Sequence, residues 1–264
     1  MIKPRRTATP NAGFTLIEVV TACTIVIILA AIALPIASQL HSIAWSARCT
    51  HSLRQLATAT HQYLADHDQK FFPYYEDIPN GGRRWYFGLE AQFGSGGPEG
   101  SRSLDVTESP LFPYLQSVGE IEVCPAFPYG ASYWKPKFKG ASYGYGFNVS
   151  LSPLTSPRPG TSLVSTPISV ATIAEPSKVI LFGDCAQVNS FQAPASDSNP
   201  LLEEFYSIDD TYKTVHFRHS GKANMLFVDG HVEAFKPWPG TLDTRIPGEV
   251  VGRITPRRST KYLK

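Results

Sequence analysis

The sequence predicts an α+β fold in which one long N-terminal helix precedes a small antiparallel sheet. Three observations carry this. A stretch without charge runs from Val19 to Ala47, and apolar residues then recur at three- and four-residue spacing. The 22 Pro and 20 Gly are concentrated after Phe72, which favours short strands over long helices. Near the C-terminus, Asp229 and Gly230 separate two apolar runs, a strong hairpin signal.

The helix begins behind a basic leader. Lys3, Arg5 and Arg6 precede Gly13 with no acid among them. The 264 residues include 24 Lys and Arg and 22 Asp and Glu, so a chain beginning at Phe14 would carry 21 basic and 22 acidic side chains. The positive surplus belongs to the leader, which argues against a globally basic nucleic-acid binder. A helix from Phe14 to Ala37 would be about 36 Å long, enough to span a bilayer, with the leader held in the cytoplasm. Glu18 is the anomaly, because a carboxylate at membrane depth costs roughly 2.5 to 3.5 kcal/mol on insertion scales. An ordinary secretory signal, cut near Ala33 or Ala37, leaves Glu18 unexplained. Cleavage between Gly13 and Phe14 explains it. The new α-amino group is a cation four residues before Glu18, on the same chain or on a neighbour.

Pro35 predicts a kink or a local opening. Beyond it, Leu53, Leu56, Ala57, Thr60, Tyr63 and Leu64 form one apolar face that should pack on a globular head, and the helix should end near Asp68. "FGSGGPEGS" reads as a loop, and "SPLFPYLQSVG" as a short helix capped by Ser109 with Pro110 in its first turn. "EIEVCP", "ASYGYGFNVSL" and "SKVILFGDC" read as strands, and Gln187 to Asp210 as a surface insertion. In the hairpin, a two-residue turn with positive φ at Asp229 and Gly230 pairs Val228 with His231. That register puts Met225, Phe227, Val232 and Ala234 on the core face. The basic ending "VGRITPRRSTKYLK" reads as a solvated tail. Of the four cysteines, Cys23 lies in the uncharged stretch. In an oxidising compartment Cys49 with Cys124 is the first choice for a single bridge, leaving Cys185; the alternative is three small buried side chains.

"GFTLIEVV", behind a basic leader and before an apolar run, resembles the cleavage and methylation motif of type IV prepilins and type II secretion pseudopilins. The resemblance makes Gly13 the residue before the cut, Phe14 the residue to be N-methylated, and Glu18 an assembly residue that sets register between subunits. His219, nine intervening residues, then Asp229 and Gly230 resemble the H-x9-DG element of bacterial prepilin-like proteins. Together they imply a leader over residues 1–13 and a long helix over 14–69, with its membrane half at about 14–40. A pilin-like head then occupies 70–264, with the hairpin at about 216–236. The implied setting is a single pass of the bacterial inner membrane with the head outside the cytoplasm. The implied partners are prepilin peptidase and other pilin or pseudopilin subunits in a filament, with no nucleic acid.

Catalytic chemistry finds little support. There is no Gly-rich phosphate loop, HExxH, paired CxxC or GxSxG, so neither an enzyme nor a cofactor is expected. His216, His219, His231 and Asp229, with Asp184 from another strand, are metal-ligand types. Asp229 is already accounted for by the turn, and His219 by a contact with the hairpin backbone, so no metal is expected. Asp209 and Asp210 alone do not make a calcium site. A second reading is a membrane-anchored binding module for carbohydrate or protein, presenting Trp85, Tyr86, Trp134, Tyr143 and Tyr145. The competing role for those rings is core packing.

Overall fold

A computed structural model describes residues 15–93, 100–115, 123–139, 143–156, 162–209, 211–259 and 261–263, and of these the side chains of 33–39, 41 and 80 are excepted. The chain divides into two units, one ending at Ser42 and the other beginning at Ile43. The architecture is α+β.

Helix α1 (Leu16–Asp66) has 51 residues. Its start is a capping box. The Thr15 N–H donates to Glu18 Oε2 at 2.8 Å, while the Glu18 N–H approaches Thr15 Oγ1 at 3.4 Å. Its end is set by Asp68 and Gln69, whose φ of 52° and 58° are left-handed, and by the Gln69 N–H turning back to Leu64 O at 2.9 Å. The helix therefore ends near Asp68, as expected, and it continues through Pro35. In the first unit, every residue from Thr15 to Ile32 is exposed. Among the described residues no helix is long and apolar enough to cross a membrane. The expected span at about 14–40 is thus not met by its described part, because Phe14 and the side chains of 33–39 lie outside it.

The second unit is built from short strands: β1 (Tyr75–Ile78), β2 (Gly82–Trp85), β3 (Gly88–Glu90), β4 (Tyr145–Asn148), β5 (Leu154–Thr155), β6 (Val164–Ser165) and β7 (Ile180–Asp184). There follow β8 (Gln187–Asn189), β9 (Leu201–Glu203), β10 (Ser207–Ile208), β11 (Val215–His216), β12 (Ala223–Phe227), β13 (Val232–Phe235) and β14 (Val251–Gly252). The main sheet has the order β10-β4-β7-β12-β13. It is mixed and not purely antiparallel, because β10 runs parallel to β4. A meander β1-β2-β3 and three strand pairs complete the unit.

Both faces of the central strands are buried. Leu53, Leu56, Ala57, Tyr63 and Leu64 of α1 pack with Phe72, Tyr86, Phe147, Phe182 and Leu226 on one side. On the other, Met225 and Phe227 join Ile208, Phe217, Ile254 and Leu263. The predicted helix face, with Thr60 among it, is the face that is buried.

Several expectations are corrected. Residues 187–208 hold β8, β9 and β10, and Leu201–Glu203 is buried throughout, so this is not a surface insertion. Its strands are two or three residues long, too short to show a period. The helix expected near Ser109 is a 3₁₀ turn over Phe112–Tyr114, with the Leu111 N–H donating to Ser109 Oγ at 3.1 Å. Val123 and Cys124 are not in a strand, and residues 120–122 lie outside the described residues, as do 94–99 of the Gly-rich stretch. The basic ending is no loose tail. Ile254 and Leu263 are buried, and the Ile180 N–H donates to Tyr262 O at 2.8 Å.

Candidate functional site

The hairpin that carries Asp229 and Gly230 differs from the predicted one by a slip of one residue. Leu226 pairs with Val232 and Met225 with Glu233, which leaves Val228, Asp229 and Gly230 in a three-residue loop. Gly230 has φ 92°, and Asp229 is not among the positive-φ residues. The loop is tied to α1, because His61 Nε2 meets Val228 O at 2.8 Å. Asp229 Oδ1 meets His231 Nδ1 at 2.6 Å. The slip leaves Ala234 exposed, while Leu226 and Val228, expected outside, are buried. The turn with two positive φ values lies upstream, at Ser220 (52°) and Gly221 (76°), between His219 and Lys222, whose backbones exchange bonds of 2.9 and 3.0 Å. The S-G dipeptide was the missed signal.

That turn places His219. Its imidazole does not cap the hairpin backbone; Nε2 lies 3.2 Å from Asp184 Oδ2 and 3.6 Å from Cys124 Sγ. Cys124 is disulfide-bonded to Cys49 of α1, with the Cα atoms 5.6 Å apart. Cys49, Cys124 and Asp184 are completely buried and His219 nearly so. Their four ligand-type atoms all lie within 4.8 Å of one another. Among the histidines and Asp229 singled out by the sequence, only His219 reaches this centre. His216 goes to Glu249 and His231 to Asp229. The cysteines enter from positions 95 and 170 residues before His219, a separation that no local spacing reveals.

Arg218, the next residue, holds the centre's polar side. Its Nη2 donates to Asp184 Oδ1 at 2.7 Å and to Gly144 O at 2.6 Å, and its Nη1 to Cys185 O at 3.2 Å. Burial alone would push the Asp184 carboxyl up, but Arg218, His219 and the Asn224 N–H, 2.7 Å from Oδ2, together hold it below its ordinary value. Burial pushes His216 down, and Arg218 adds to this. The geometry agrees with a neutral ring, which donates from Nε2 to Glu249 at 2.8 Å and accepts at Nδ1 from Arg218 at 3.3 Å. Cys185 is a free, buried thiol whose pKa burial pushes up, so it is not a reactive nucleophile.

At the N-terminus, Gly13 and Phe14 lie outside the described residues, and Glu18 is exposed with Oε2 bonded to Thr15. Of the proposed binding aromatics, Trp85, Tyr86, Tyr143 and Tyr145 are buried and Trp134 is half-buried. Tyr86 bonds the backbone of Tyr145 and Tyr206, so these rings are core. A cleft of about 670 Å³ lies elsewhere, with Phe191 and Tyr212 exposed at its rim and Lys213, Arg245, Arg253 and Arg257 along it.

Residues 9–34 match the prokaryotic N-terminal methylation motif. No curated protein and no solved structure matches the chain. The motif supports a type IV pilin-like prepilin, processed by prepilin peptidase and assembled with pilin subunits. It covers 26 of the 264 residues and does not extend to His219, Asp229 and Gly230.

Proposed function

We propose that the chain is a structural subunit of a type II secretion pseudopilus or type IV pilus-like filament, held in the inner membrane until assembly. One observation carries the reading: the methylation motif takes in helix residues Leu16–Ile32, all exposed and, Glu18 apart, uncharged. A helix apolar on every side requires apolar surroundings, supplied by lipid before assembly and by neighbouring copies afterwards. Residues 1–13 are the leader, and the head follows the long helix from about residue 70. Its work is mechanical, not enzymatic. His219, Asp229 and Gly230 serve the head's structure, by seating the hairpin on α1 and tying a turn to Asp184.

Mass measurement of the mature N-terminus tests this. N-methyl-Phe14 is the expected residue, whereas a terminus near Leu34 or Ser38 sinks the proposal. Glu18→Ala should be cut normally and fail to enter filaments.

A second reading, an anchored binding module, draws on the basic cleft in place of the buried aromatics. Two exposed rings beside Lys213, Arg253 and Arg257, with Arg245 paired to Asp243 at 2.6 Å, suit a carboxylated oligosaccharide. Titration of the head with oligogalacturonate should show binding that weakens in Arg257→Ala; no heat and no shift at low salt would remove this reading.

A further inference from the structure

We propose that Cys49, Cys124, Asp184 and His219 form a closed tetrahedral zinc site when the disulfide is open, so that bridge and metal are alternative ties between the same four segments. The distances carry the argument. With Zn–S near ~2.3 Å, Zn–N near ~2.05 Å and Zn–O near ~2.0 Å, a tetrahedron has an S···N edge of about 3.6 Å and an N···O edge of about 3.3 Å. Cys124 Sγ to His219 Nε2 is 3.6 Å and His219 Nε2 to Asp184 Oδ2 is 3.2 Å. Two edges of the coordination sphere already exist in the disulfide form. The sulfurs must part to about 3.8 Å, the S···S edge that the same bond length gives, and the remaining edges must settle from within 4.8 Å. All four ligand atoms lie within 4.8 Å of one another, on buried residues of the second unit.

Charge and surroundings agree. Two thiolates, one carboxylate and Zn²⁺ sum to a single negative charge, and Arg218 supplies the compensating positive one through Asp184 Oδ1 at 2.7 Å. Oδ2 is left facing His219, steadied by the Asn224 N–H at 2.7 Å. Among the described residues no hydrogen-bond partner meets the buried His219 Nδ1, so none of them locks the tautomer from that side. Two sulfurs, an imidazole and one carboxylate with no position left for water fit zinc in a structural role. Opening the bridge takes two electrons from a thiol or phosphine reductant and leaves two Cys–SH groups. Zinc then displaces both thiol protons, and the His219 proton moves from Nε2 to Nδ1.

The test uses the full chain in detergent, reduced with a phosphine, freed of metal and titrated with Co²⁺. The expected result is one cobalt per chain, with thiolate-to-cobalt charge-transfer bands and the strong d–d bands of a tetrahedral ion, displaced by one equivalent of Zn²⁺. His219→Ala should weaken cobalt binding at least tenfold and change the d–d bands, whereas Arg258→Ala, far from the centre in sequence and exposed, should leave both unchanged. Circular dichroism is recorded in parallel. A reduced chain that unfolds without metal and refolds with one equivalent supports the site. A reduced chain that stays folded without binding cobalt overturns it. So does one that remains unfolded with cobalt present, or whose cobalt spectrum ignores His219→Ala.

Discussion

Glu204 illustrates how the interior treats single ionisable residues. It is 1% exposed, and its carboxylate takes a hydrogen bond of 2.8 Å from Tyr129 and another from the Tyr143 backbone. Burial outweighs these bonds and pushes the carboxyl from 4.5 up to about 7. Between those values the native chain holds a proton that the unfolded chain has lost. Stability from this group therefore rises as pH falls from 7 toward 4.5, by about 3 kcal/mol in all. Glu204→Gln should thus gain stability over the parent at pH 8 and lose that advantage near pH 4.5, as read by urea unfolding at both values; equal differences at both would refute the assignment. Gly183 is a steric counterpart. A Cβ there would fall on Met225 Sδ and come within 3.0 Å of Ile208 Cδ1. Gly183→Ala should cost about 1–3 kcal/mol by overpacking, measured by the shift in urea midpoint at constant slope. Neither residue stands out in the sequence, because each is defined by partners distant along the chain.

At the scale of elements, legibility follows how local the cause is. The buried face of α1 was readable because helix periodicity is written within a few residues. Strand β12 was harder. Its burial on both faces hides the alternation that a half-buried strand would show: the Met225 and Phe227 side is core as expected, and the Leu226 and Val228 side, expected outside, is core as well. The hairpin register slipped for a related reason: Asp229-Gly230 matches a two-residue turn, yet the loop takes in Val228 as well, which is buried against α1 and binds His61 through its carbonyl. Tertiary packing overrode a local signal. The turn at Ser220-Gly221, with two positive φ values, is the better place for engineering. Asn tolerates that backbone more readily than Ser, so Ser220→Asn should stabilise the head by about 0.5 kcal/mol. Gly230→Ala should destabilise it by about 1 kcal/mol, since φ is 92°. Thermal unfolding of the two variants should move in opposite directions.

For the whole molecule, the central question is what makes a strand-poor, loop-rich head hold one shape. The unit from Ile43 onward contains every buried cluster, among the described residues, and both cysteines of the disulfide. It should therefore fold as residues 43–264 without the preceding apolar helix, and a soluble fragment with native circular dichroism and a cooperative transition would show it. The bridge closes a separation of 75 residues, for which loop-closure entropy gives about 4 to 5 kcal/mol. For a unit of this size, at about 2–4 °C per kcal/mol, Cys49→Ser with Cys124→Ser should lower the midpoint by roughly 8–20 °C in metal-free buffer. The site at His219 adds a condition. If the four side chains can instead hold zinc, reduction of the parent fragment should cost much of that margin without metal and little of it with one equivalent of Zn²⁺. The doubly substituted fragment, lacking both sulfurs, should show no such rescue, which separates coordination from a general effect of the ion on the fold.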